Sequence, residues 1–137
     1  MQWGIPASPG QYSKWGDNKI KDDPVVYKNV KGTLSFATSG EDSRGSQIFV
    51  NMSDNNNSDD ALAGNDGGLD KQGFAPFAEL ENSEDLSEFT KCYEFGRTMA
   101  ERSSGMTIEQ DQGKAHGNAY FLNLCPKLSK WTKAERL

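Results

Sequence analysis

The sequence predicts an all-β architecture, a β-rich barrel or sandwich with one helix, and three observations carry that expectation. Residues 32–38 and 46–52 alternate apolar and polar positions with the period of a half-buried strand. Clusters of Gly, Ser, Asp and Asn separate the two runs and follow the second. Sustained helical spacing of apolar residues occurs in one segment alone, 82–96. At 137 residues the chain has room for a single core.

Residues 1–31 mix aromatic, Gly, Pro and charged positions without helical period and read as an extended segment with loops. Asp22-Asp23-Pro24 marks a turn, because the residue before proline avoids the α region. From Gly32 to Thr38 the alternation puts Leu34 and Phe36 on one strand face, and Ser39 to Gly45 is a turn-rich loop. The run Ser46 to Met52 directs Ile48, Val50 and Met52 one way and Gln47, Phe49 and Asn51 the other. An amide beside an aromatic ring on a rigid strand is how a binding site sets one orienting hydrogen bond in an apolar pocket. By pattern alone, a strand face merely covered by a loop is the competing reading.

Residues 53–68 form an acidic, Asn/Asp/Gly-rich stretch with little to bury, read as a surface loop. A calcium loop starting at Asp54 with Asn56 and Ser58 fails, since Asp59 stands where glycine must turn and Asn65 where a bidentate glutamate belongs. Two glycosylation sequons, Asn51-Met52-Ser53 and Asn56-Asn57-Ser58, have no secretory context to give them meaning. Residues 73–80 read as another strand, at an edge or bulge because Pro76 cannot donate to a ladder. Asn82 caps the helix over 82–96, with Glu84 and Asp85 in its first turn and Leu86, Phe89 and Tyr93 on its apolar side. The polar stretch 97–117 reads as loop, and 118–124 and 131–137 as further strands punctuated by Pro126.

With 15 Lys and Arg against 20 Asp and Glu the net charge is −5, the wrong sign for gripping a nucleic-acid backbone. No apolar run reaches the roughly 20 residues of a bilayer span, and residues 1–6 carry neither the basic nor the apolar part of a signal peptide. The expectation is a soluble protein, cytoplasmic by default. Cys92 and Cys125 lack zinc spacing and read as buried free thiols, with a disulfide as the competing reading. His116 reads as a solvated loop histidine without a nucleophile beside it, and no metal or cofactor is expected.

In order, Gly32-Thr33-Leu34-Ser35-Phe36-Ala37, Gly45-Ser46-Gln47-Ile48-Phe49-Val50-Asn51, Leu69-Asp70 and Gly73-Phe74-Ala75-Pro76-Phe77 resemble the cyclophilin family of peptidyl-prolyl cis-trans isomerases. The likeness begins at Met1-Gln2-Trp3-Gly4-Ile5, includes Asp22-Asp23-Pro24-Val25 and Gly117-Asn118-Ala119-Tyr120, and runs to the end. It implies a closed eight-stranded antiparallel barrel with capping helices and a proline groove on its outer surface. It also implies isomerase activity on X-Pro bonds during protein folding, with proline-containing peptides or unfolded chains as partners, acting as a monomer without nucleic acid or membrane. Gln2, Gln47 and Phe49 match the family's catalytic positions. Ala37, Thr38, Leu69 and Phe74 match its substrate-binding positions, with Phe74 where the family has a pocket histidine.

Departures from the family pattern carry their own implications. The family's catalytic arginine, a pocket phenylalanine and the first strands and helix fall upstream of the segment that begins at Met1. The expectation is therefore a single, incomplete domain over 1–137, truncated at its N-terminus, with 53–68 as a loop insertion. Gly68 replaces the tryptophan found before the leucine in many members, which weakens binding of cyclosporin-like ligands. The alternatives to an active isomerase are a catalytically weak prolyl-peptide binding module and a fragment without function.

Overall fold

The computed structural model describes residues 1–56, 68–90, 109–124, 126–133 and 135. Four strands, β1 (Gln2–Trp3), β2 (Thr33–Phe36), β3 (Ile48–Val50) and β4 (Pro76–Glu79), form one sheet in the order β1-β3-β2-β4. Every pairing is antiparallel. The closed eight-stranded barrel implied by the resemblance is not what the described residues form: this sheet is open, with β1 and β4 at its edges. Among the described residues, Trp131–Lys133 lie outside any strand, and Asn118–Leu124 is helical rather than extended.

The alternation read in the two central runs is the one that pairs. Leu34 lies opposite Val50 and Phe36 opposite Ile48, so the apolar positions of both strands share a face. Ser35 lies opposite Phe49, which faces Gln2 across the other pairing. Pro76 sits on an edge strand beside a register shift: Leu34 pairs with Ala78 but Ser35 with Pro76. Phe77 is thus the extra residue of a bulge, where a proline costs no ladder bond. Its ring packs on Phe36 at 4.8 Å.

Helices exceed the single one expected. α1 (Pro9–Trp15) opens with proline in its first turn after Ser8 in an extended conformation, and it buries Tyr12. Seven residues are too few for periodicity to show against the surrounding Gly and charged positions. α2 (Gly68–Lys71) carries Leu69. A 3₁₀ turn, Ser83–Asp85, leads into α3 (Leu86–Thr90), which buries Leu86 within the predicted helix; the remainder of that helix and both cysteines lie outside the described residues.

α4 (Gln110–His116) and α5 (Asn118–Leu124) replace the expected loop and strand. A short apolar run such as Ala119-Tyr120-Phe121-Leu122 cannot by pattern alone distinguish a strand from a helix. Packing decides it here, because Phe121 lies where a side chain on Gly113 would stand, so the two helices approach at that glycine. His116 is exposed, as expected, but ends α4 instead of lying in a loop. Trp3, Phe89 and Trp131 cluster with centroids 5.4–6.0 Å apart, tying β1 to α3 and the C-terminal segment.

Much of the described interior is polar. Among the described residues the buried apolar side chains are Tyr12, Val50, Ala75 and Leu86, against the polar Asn29, Thr33, Ser35, Arg44 and Asn51. Such groups are tolerated only when hydrogen-bonded. The Asn29 Nδ2 donates to Asp70 Oδ1 (2.8 Å) and to the Phe74 carbonyl (2.7 Å), while its Oδ1 accepts from Ser35 Oγ (2.8 Å) and Asn51 Nδ2 (3.2 Å). Asn51 Nδ2 also donates to Thr33 Oγ1 at 2.9 Å, and Asn55 Nδ2 donates to Asn51 Oδ1 at 2.7 Å. The first sequon is thereby closed to modification, since its acceptor nitrogen is buried and engaged.

Candidate functional site

Strand β3 and its lead-in residue present Gln47 and Phe49 on the face opposite the apolar pairings. Gln2 reaches the same face because β1 pairs with β3 in the register Gln2–Phe49. The two amides meet, with Gln2 Nε2 donating to Gln47 Oε1 at 2.9 Å. Gln47 Nε2 in turn donates to Gln110 Oε1 on α4 at 3.3 Å. An amide anchored at both ends is held in one orientation rather than flipping freely.

The aromatic wall comes from the segment beyond β3. Phe74 meets Phe49 edge to face, centroids 5.7 Å apart at 76°, the arrangement that the ring quadrupoles favour. The buried amide network sets this contact. Asn29 holds the Asp70 carboxylate and the Phe74 carbonyl, both just after Leu69, the Asn55 carbonyl accepts the Leu69 N–H at 2.8 Å, and the Phe74 N–H returns to the Leu69 carbonyl at 3.1 Å.

The third side is the loop after β2. Ala37 donates its N–H to the Gln47 carbonyl at 3.0 Å, and the Thr38 hydroxyl is committed inside the loop, bonding the Gly40 carbonyl and Ser43 Oγ. Beneath the loop, Arg44 is buried, with Nη1 2.9 Å from Asp23 Oδ2 and Nε 3.1 Å from Asp22 Oδ1, the latter a close ion pair without hydrogen-bond alignment. Asp22 and Asp42 exchange backbone N–H to carboxylate bonds of 2.8 and 2.9 Å. The loop is thus stapled to the Asp22-Asp23-Pro24 segment, which forms no turn, contrary to expectation: it is held by pairing with Arg44 and Asp42 across the chain.

These parts enclose a cavity of about 540 Å³, and Gln2, Ala37, Thr38, Gln47, Phe49, Leu69 and Phe74 all line it. All seven positions singled out in the sequence converge on one site. Tyr12, Lys19, Gln110 and Lys114 are among the further residues that line it, and nothing in the sequence marks them as site residues. Lys19 follows α1, and Gln110 and Lys114 lie one turn apart on α4, segments read as loop, so no periodicity pointed to them. On its other side the Gln2–Gln47 pair borders a more apolar cavity of about 740 Å³ that includes Trp3, Phe121 and Trp131.

Lys114 is held by Asp111 at 2.8 Å and lies 5.7 Å from the Tyr12 ring centroid. The hydrogen bond to Asp111 raises the Lys114 pKa above the ordinary lysine value, and the same bond lowers that of Asp111. Both therefore stay charged throughout the neutral range. Among the described residues, no group of three or more His, Cys, Asp or Glu could hold a metal, and no helix is long and apolar enough to cross a membrane.

Gly68 opens α2 with φ of +70°, in the left-handed region, and a Cβ there would meet the Asn56 carbonyl oxygen at 2.5 Å. A tryptophan cannot stand at this position without moving backbone. Gly68→Trp is expected to lower the melting temperature by several degrees through strain of about 1–3 kcal/mol. A thermal melt checks it, and an unchanged melting temperature would show that the backbone gives way readily.

The described residues thus form an open antiparallel sheet bearing a cavity lined by paired amides and edge-to-face aromatic rings. A family model described as cyclophilin type peptidyl-prolyl cis-trans isomerase/CLD matches residues 1–109, and the chain belongs to that family. No curated protein and no solved structure matches the chain.

Proposed function

We propose that the groove binds X-Pro segments of folding proteins and accelerates rotation about the prolyl amide. The carrying observation is the convergence of Gln2, Ala37, Thr38, Gln47, Phe49, Leu69 and Phe74, from four separate stretches of chain, on one cavity. Rotation is slow because amide resonance raises a barrier of about 18–20 kcal/mol. A twisted amide loses resonance, so its carbonyl becomes less polar and its nitrogen gains a lone pair. An apolar wall with a preorganised donor then binds the transition state better than either planar isomer. In this reading Phe49, Leu69 and Phe74 hold the proline ring, Ala37 and Thr38 border the preceding residues, and Gln2 and Gln47 orient the peptide backbone. Cyclosporin-like macrocycles bind weakly, because Gly68 offers no indole to them.

A second reading, proline binding with little catalysis, draws support from the donors present. Among the described lining residues no guanidinium occurs, since Arg44 is buried beneath the loop on Asp22 and Asp23. Losing one preorganised donor costs about 10²- to 10³-fold in rate. Exchange spectroscopy on a proline peptide with substoichiometric protein separates the two. Cis–trans cross-peaks that grow with added protein are the expected result, and saturable binding without them leaves the binding module standing.

Gln47→Ala is expected to weaken peptide binding about tenfold while shifting the melting temperature by no more than about 2 °C. The reason is that its amide bonds are exposed ones, to Gln2 and Gln110. Parallel losses in affinity and stability would identify Gln47 as a structural residue instead.

A further inference from the structure

The charge around the groove opposes that of the chain. The protein carries five more acidic than basic residues, yet among the described residues lining the cavity there is no carboxylate side chain and there are two lysine ammonium groups, Lys19 and Lys114. They come from different segments, one following α1 and the other on α4, so their meeting at one cavity is a product of the tertiary fold.

Neither ammonium is used up by its neighbours. Lys19 Nζ donates to the Gly16 carbonyl at 2.7 Å, one bond for a group with three donors. Lys114 Nζ bonds Asp111 Oδ1, and the two sides of that pair differ: the Lys114 side chain is 28% exposed and that of Asp111 is 91% exposed. The carboxylate stands in water while the ammonium lies against buried Tyr12, itself a cavity-lining residue. An exposed partner screens weakly and competes poorly with a ligand anion brought up on the groove side.

We infer that the groove selects prolyl segments bearing an anionic side chain, a carboxylate or a phosphate, within a residue or two of the proline, read by Lys19 and Lys114. This rests on the proline-groove reading above and narrows its substrate class. Oppositely charged contacts at a partly solvated rim raise association rate and discriminate among partners more than they add affinity. The expected preference is therefore moderate and sensitive to salt.

The test is fluorescence-anisotropy titration of the full chain with peptides that differ only in the residue before an Ala-Pro pair: glutamate, phosphoserine, alanine or lysine. The expected order is phosphoserine and glutamate about 5- to 20-fold tighter than alanine at low salt, with lysine weakest, and a ratio that falls toward unity near 0.5 M salt. A gain for phosphoserine alone assigns the anion as phosphate. Equal binding of glutamate, phosphoserine and alanine, or tightest binding of lysine, overturns the charge inference while leaving the proline groove intact. Failure of all four, the alanine peptide included, overturns the groove reading itself. The double variant Lys19→Gln/Lys114→Gln is expected to collapse the glutamate-to-alanine ratio, and Asp111→Asn to increase it. Should the double variant fold poorly, the salt dependence of the unmodified protein and the Asp111→Asn ratio decide the matter by themselves.

Discussion

Asn29→Ala is expected to lower the melting temperature by about 10 °C or more and to abolish detectable binding of proline peptides. Asn29 is fully buried, and its side chain makes four hydrogen bonds to Asp70, the Phe74 carbonyl, Ser35 and Asn51. Alanine keeps the backbone bond to Asp70 but strands several polar partners, two of which are themselves buried. Each stranded group costs about 1–3 kcal/mol, and 1 kcal/mol corresponds to about 2–8 °C in a domain of this size. The groove suffers as well as the core, because Asn29 holds the two ends of the 70–74 turn that carries Phe74. A thermal melt and a peptide titration below the new midpoint check both halves. A drop under about 3 °C would mean that water replaces the lost partners.

Phe49→Ala should produce the largest functional loss at the site itself, a fall of about 10- to 100-fold in proline-peptide affinity. A central aromatic anchor typically accounts for 2 kcal/mol or more of binding, and every 1.4 kcal/mol is a factor of ten. Phe49 is half-buried, and its ring is the floor on which Phe74 stands edge-on. Its removal therefore also loosens Phe74. Phe74→Ala and the double variant complete a cycle in which the two losses are expected to be non-additive by about 0.5–1.5 kcal/mol. Additive losses would show that the rings act independently on the ligand. The stability cost should be smaller than for a fully enclosed phenylalanine, since part of the ring already meets the cavity.

The strands were legible where local pattern and burial agree. The alternation in 32–38 and 46–52 puts Leu34 and Phe36 on one face and Ile48 and Val50 on another, the faces that pair, and Pro76 points to an edge or a bulge, where the structure has both. Short helices were not legible. α1, α2, α4 and α5 have seven residues or fewer, so each spans about two turns at most, too short for a 3.6-residue period to stand clear of chance. The run 118–124 went to the wrong class for the same reason, and Gly113 against Phe121 is a long-range fact that no local pattern contains. Asn51 falls by alternation on the groove-facing side with Gln47 and Phe49. It does line the cavity, but it is buried and its amide belongs to the interior network.

The family and seven of the residues that line the cavity are legible in the sequence, because Gly-Ser-Gln-Ile-Phe at 45–49 and the segments around it are local strings whose chemistry is written in their order. Only the tertiary structure decided how those residues are held and what surrounds them. The amide network centred on Asn29 joins positions from four parts of the chain, and Lys19, Gln110 and Lys114 reach the groove from segments with no strand signal. Burial of a polar group and the sign of the field in a cavity are set by neighbours distant in sequence, so neither can be read from the residue or from its immediate context.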